Sequence, residues 1–123
     1  MSYYYYYNND EESFFIEELT RILTSQNLVS KEKIHVEYPL TKANDSRLYR
    51  TDIFLDVESI SLKKEKGSVT KINGPIVFEL KRQLQFDTVS RYLKLHRQLQ
   101  PFSGYRNFVL IYFNENVFSA NIP

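Results

Sequence analysis

The sequence has no cysteine, no tryptophan, one methionine and only three glycines in 123 residues. Without cysteine there is no disulfide framework, no thiolate metal site and no thiol nucleophile. So few glycines leave no glycine-rich phosphate loop. No serine stands in a nucleophile-elbow context, and two distant histidines make neither a zinc site nor a convincing triad. No apolar run approaches the ~20 residues of a membrane span, and the N-terminus lacks the basic start and apolar stretch of a signal peptide. These absences lead us to expect an intracellular protein, cytoplasmic or nuclear rather than secreted, with no membrane partner.

What is present fits one small domain. The chain is 42% apolar, rich in Tyr and Phe, and long enough for a single modest core. The net charge of +1 points to no partner, but its distribution does. Residues 1–30 carry five acids and one base, which leaves fifteen bases against ten acids in residues 31–123. Much of the excess falls between Lys63 and Lys71 and between Lys81 and Arg106, a hint of a polyanionic partner. Solvated surface lysines are the competing explanation for any one of these positions.

The run Tyr3 to Tyr7 and the following Asn8-Asn9-Asp10 have no core-forming period, so residues 1–10 are expected to be a disordered tail and 11–123 the domain. Residues 11–25 show helical spacing: Phe15, Leu19, Ile22 and Leu23 share a stripe, and Glu18 lies at its edge, where it either borders solvent or turns towards a site. Ile34 to Tyr38 alternates as a strand ended by Pro39, with Ile34, Val36 and Tyr38 inward and His35 and Glu37 towards solvent. Leu48 to Val57 is a second strand, with Arg50, Asp52, Phe54 and Asp56 on one face. Residues 58–73 read as a strand extension with a basic hairpin tip that includes Lys63 and Lys64.

Pro75 to Lys81 is the third strand, and the one on which the site depends. Glu79 and Lys81 share a face of an otherwise apolar segment. Residues 87–99 form a second helix, with Val89, Tyr92, Leu93, His96 and Leu99 on one side, His96 being read as a core histidine. Arg91, Lys94 and Arg97 form a basic ridge on the other. Pro101 to Gly104 is expected to be a turn, Arg106 to Phe113 a buried last strand, and the remainder a short peripheral tail. The resulting α/β order is αβββαβ, a small mixed sheet with helices packed on it and a crossover that makes the last strand parallel to a neighbour.

If the second and third strands are antiparallel neighbours, Asp52 comes close to Glu79 and Lys81. Two carboxylates can hold a hard divalent cation such as Mg2+ or Mn2+, and a lysine beside them can meet the charge on a phosphate. Glu18 could reach the same place as a further ligand or an outer base.

Asp52, Glu79-Leu80-Lys81 and the αβββαβ order resemble the PD-(D/E)XK nuclease superfamily. The stretches Tyr38-Pro39-Leu40, Arg50-Thr51-Asp52-Ile53 and Gly74 to Lys81 are similar to the nuclease domain of type I restriction subunits, and Val89-Ser90-Arg91-Tyr92-Leu93 to a helix in archaeal branched-DNA and mismatch nucleases. The resemblance implies a restriction-endonuclease-like core, metal binding by Asp52 and Glu79, catalysis by Lys81 and a nucleic-acid substrate, DNA before RNA. It extends, more weakly, to Glu18. Thr51 departs from the Pro or Gly-rich context common before the aspartate in that superfamily. Arg91, Lys94, Arg97, Lys63 and Lys64 would meet the nucleic acid, and exposed sheet edges permit a homodimer. A binding module of the same fold without cleavage, and a small α/β interaction protein in which Glu79 and Lys81 merely pair, are the alternatives.

Overall fold

A computed structural model describes residues 2–42, 48–63, 67–81, 86–113 and 118–121, with side chains described within 13–111 except at 86. Lys64, expected at the basic hairpin tip, lies outside the described residues. The architecture is mixed α/β. Helix α1 (Ser2–Ser25) precedes β1 (Ile34–Thr41), β2 (Leu48–Leu55), β3 (Ser59–Lys63), β4 (Val69–Asn73) and β5 (Ile76–Lys81). Helix α2 (Phe86–Ser103), β6 (Asn107–Phe113) and β7 (Phe118–Asn121) follow. Strands β1-β2-β5-β6-β7 form one sheet in that order, and β3 and β4 form a separate hairpin. No helix among the described residues is long and apolar enough to cross a membrane.

The expected meander holds in space: β1 and β2 are antiparallel, as are β2 and β5, with Ile53 opposite Phe78 and Leu55 opposite Ile76. The hairpin β3–β4 is inserted between the last two. Its return to the sheet is tight. The N–H of Gly74 donates to the Glu58 carbonyl at 2.7 Å, and a Cβ at Gly74 would lie 2.1 Å from the Val57 carbonyl oxygen, so only glycine fits. Helix α2 then crosses over to place β6 parallel to β5, with Glu79 opposite Leu110.

The sheet has two faces with two separate cores. On one, Ile53, Leu55, Ile76, Phe78, Leu80, Val109 and Ile111 pack with Leu23 of α1 and with Ile60 and Ile72 of the hairpin. On the other, Phe54, Val77, Phe108 and Leu110 pack with Tyr92 and Leu99 of α2 and with Tyr105. Alternation along β5 explains the division, odd and even positions serving opposite faces.

Several expected boundaries move. Helix α1 begins at Ser2, ahead of the expected start at residue 11, and takes in the tyrosine run; the first 25 residues contain neither Gly nor Pro to stop it. Strand β1 continues through Pro39 to Thr41. It pairs only with β2, and an edge strand tolerates a missing N–H. Helix α2 likewise runs through Pro101 to Ser103 and closes at Gly104, whose φ is +71°. The segment after 113, expected to be peripheral, supplies edge strand β7.

The strict alternation expected along β1 fails at Glu37, whose φ of +52° is left-handed. Ile34 therefore packs on the α1 side, whereas Tyr38 and Leu40 pack on the α2 side. His35, expected in solvent, is half-buried against Tyr38 and Phe54, with ring centroids 5.2 and 6.4 Å away, while Val36 is half exposed. Strand β2 shifts in step: Phe54 and Tyr49, an odd number of residues apart, share the α2-side core.

Candidate functional site

The pairing of β2 with β5 ends at Ile53 opposite Phe78, one residue short of Asp52. Beyond that point side chains of β2 engage the backbone of β5. The Thr51 hydroxyl donates to the Phe78 carbonyl at 3.2 Å. The Leu80 N–H donates to Asp52 Oδ2 at 2.7 Å. This short, charge-assisted bond fixes the Asp52 carboxylate at the strand end where Glu79 and Lys81 stand.

Glu79 is the anomaly of the fold. It is 3% exposed, and its Oε1 is buried with no hydrogen-bond partner. Burial and the neighbouring Asp52 charge push its carboxyl group up to about 8; hydrogen bonding from Thr51 and Tyr49 pulls the other way without overcoming them. A buried polar atom without a partner costs about 1–3 kcal/mol, so its retention in a core strand needs a cause.

The remaining groups around Glu79 are aromatic and basic. Burial and the Glu79 charge raise the phenol of Tyr49 well above its usual range, and Tyr105 is raised by the same two causes. Tyr92 is also raised, chiefly by burial, while Lys81 opposes the rise through hydrogen bonding and charge. The Lys81 Nζ lies 5.5 Å from the centre of the Tyr92 ring, and the Arg91 guanidinium carbon 5.8 Å from it. Lys81 is half-buried and, with Glu79, faces α2. A cavity of about 400 Å³ lies beside these groups, lined by Lys42, Tyr49, Arg91, Tyr92, Lys94 and Gln98 among others.

Asp52, Glu79 and Lys81 are thus brought to one strand end, and Arg91 and Lys94 to the cavity beside it. The other expected residues are placed elsewhere. Glu18 pairs with Arg21 on α1, which packs on the opposite face of the sheet, and this partner holds the Glu18 carboxyl below its usual range. Among the described residues, no three His, Cys, Asp or Glu side chains gather at one place, so Glu18 does not join Asp52 and Glu79 as a third carboxylate. Lys63 is exposed at the end of β3, on the hairpin that packs on the α1 side. Arg97 is exposed on α2 outside the cavity lining, beside His96. His96 is a satisfied partner of the core, with Nδ1 3.0 Å from the Tyr105 hydroxyl.

Tyr49, Thr51 and Lys42 were not singled out by sequence pattern. The first two flank Asp52, but alternation assigns them to the wrong face because the twist at Glu37 is invisible in a period-two reading. Lys42 is one residue past β1 and gives no signal of its own.

A divalent cation suits this donor set. Two adjacent carboxyl groups, one with an unpartnered oxygen, call for either a shared proton or a cation, and hard cations take oxygen ligands. No protein-family model, curated protein or solved structure matches the chain.

Proposed function

We propose that the chain is a metal-dependent nuclease of the PD-(D/E)XK type that hydrolyses phosphodiester bonds, DNA in preference to RNA. One observation carries this reading: the buried Glu79 carboxyl, with an oxygen left without a partner, lies next to Asp52 on the strand whose same face bears Lys81. The element order supports it. With the β3–β4 hairpin set aside as an insertion, α1, β1, β2, β5, α2 and β6 follow the αβββαβ plan of a restriction-endonuclease-like core.

Asp52 and Glu79 would hold Mg2+ or Mn2+, with Asp52 oriented by the Leu80 N–H. A bound cation of this kind neutralises charge on a phosphoryl oxygen and acidifies water. Lys81 contributes a second positive charge from the same face, placed to meet the charge that builds on phosphorus. Tyr92 keeps that ammonium in place through its ring and hydroxyl. The partner is nucleic acid, and Glu18, held by Arg21, has no part in the proposed site.

The test is cleavage of single-stranded, duplex and branched DNA, and of RNA, with Mg2+ or Mn2+ and with chelator. Cutting should require the metal and fall at least about 100-fold in Asp52→Ala, Glu79→Ala and Lys81→Ala. Variants that cut as well as the wild type sink the proposal. Binding of nucleic acid with no cutting in either metal would make the chain a binding module.

A further inference from the structure

The cavity beside the carboxylates carries an inference that rests on the nuclease reading and narrows its substrate. Its lining joins three cations from two elements, Lys42 after β1 and Arg91 and Lys94 on α2, with two phenol rings, Tyr49 and Tyr92. Among the described residues, no acid lines it. Tyr92 links the cavity to the strand that bears Glu79, since the Lys81 Nζ lies 5.5 Å from the centre of its ring. The cavity volume of about 400 Å³ is in the range of small-ligand sites and exceeds what one phosphate needs.

From this arrangement we infer that the cavity binds an unpaired, phosphate-bearing nucleotide of a single strand next to the bond to be cut. The cations meet the phosphate, and a base stacks on the half-buried Tyr49 ring and the exposed Arg91 guanidinium, which itself lies over the buried Tyr92 ring. Cationic grooves interleaved with aromatic rings suit single strands, because an unpaired base exposes its ring face whereas a paired base in a duplex exposes only its edges. Of the lining groups, Arg91 and Lys94 are exposed, whereas Tyr49 is half-buried and Tyr92 buried. The basic ridge of α2 is therefore not uniform, with Arg91 and Lys94 serving the cavity and Arg97 outside it.

The experiment measures binding, not cutting, so that it fails independently of the nuclease reading. A fluorescent 12-nucleotide oligothymidylate and the blunt duplex of the same length are titrated with the full chain in chelator, from 50 to 300 mM salt. The single strand should bind at least fivefold more tightly. Lys42→Ala and Lys94→Ala should each weaken single-strand binding several-fold and reduce the salt slope by about 0.7. Lys63→Ala, on the hairpin of the other face, should leave it within twofold. A duplex bound as tightly as the single strand, or a Lys42→Ala chain that binds like the wild type, overturns the inference. Loss of cutting in Asp52→Ala with this binding intact would leave both readings standing. Binding as expected with no cutting in any metal would remove the nuclease reading alone.

Discussion

Glu79 and Leu80 are consecutive, both almost fully buried, and they point to opposite faces of one strand. Leu80 enters the core of Ile53, Leu55, Ile76, Phe78 and Val109 between the sheet, α1 and the hairpin. Glu79 enters the layer on the other face, where α2 brings tyrosines and cations. The first face obeys the ordinary rules of burial. The second leaves a carboxyl oxygen without a partner beside another carboxylate. Stability alone would favour an apolar side chain at both positions, so the difference between them separates the face that holds the fold from the face that carries the proposed site.

Reciprocal substitutions break the comparison most severely. Leu80→Glu places a charge where nothing can pair with it, at a cost of several kcal/mol, comparable to the whole stability of a domain this size. The variant should lack a cooperative thermal transition. Glu79→Leu should do the reverse: stability in chelator rises by about 1–3 kcal/mol as the unpartnered oxygen is removed, while metal-dependent cutting falls at least about 100-fold. Urea denaturation followed by circular dichroism, with a cleavage assay on the same preparations, checks both. A Glu79→Leu chain less stable than the wild type would mean that Glu79 is a structural group.

The pH dependence sharpens the same contrast. The Glu79 carboxyl titrates near 4.5 when unperturbed and at about 8 in the folded chain. Between those values the folded state holds a proton that the unfolded state has released. The stabilising contribution is therefore complete below about pH 4.5 and is lost as pH rises through about 8. Stability in chelator should decline over that window with a slope from this group of at most about 1.4 kcal/mol per pH unit. Glu79→Gln should flatten the decline. Mg2+ should raise the melting temperature more at pH 8 than at pH 6, because at the lower pH the proton competes with the cation. Equal slopes in wild type and Glu79→Gln would show that another group carries the titration.

How far the sequence foretold this division follows from the length scale of each signal. Local periodicity sufficed for β5, for most of α2 and for the pairing of Glu79 with Lys81 on one face. The antiparallel approach of β2 that brings Asp52 to the Leu80 N–H was expected as a condition and is realised in the structure. The left-handed Glu37, which turns Tyr38, Tyr49 and the ends of β1 and β2 towards α2, is a single-residue event that no alternation reveals. Element ends mislead for the opposite reason: proline suggests a stop at Pro39 and at Pro101, yet one lies on an edge strand and the other in the last turn of a helix. Tyr92 was legible as core, but its grouping with Tyr49 and Tyr105 around one carboxyl depends on residues 13 to 30 positions from Glu79 and so on the assembled sheet.

The smallest expected effect comes from Tyr105, the satisfied counterpart of Glu79 on the same face. Its side chain is fully buried, and its hydroxyl donates to the His96 carbonyl at 3.2 Å and lies 3.0 Å from the His96 ring nitrogen. Tyr105→Phe keeps the ring in its packing and removes only the polar link, at a cost of about 1 kcal/mol. A chain of this length should lose about 4 °C in melting temperature. Metal-dependent cutting should stay within about threefold, because the hydroxyl contacts His96 rather than the proposed metal ligands. A loss of cutting approaching that of Asp52→Ala, with the melting temperature unchanged, would place Tyr105 in the reaction and extend the chemical region across the whole α2 side of the sheet. A loss of stability alone marks the boundary between polar groups that hold this face together and the carboxyl group proposed to hold a cation.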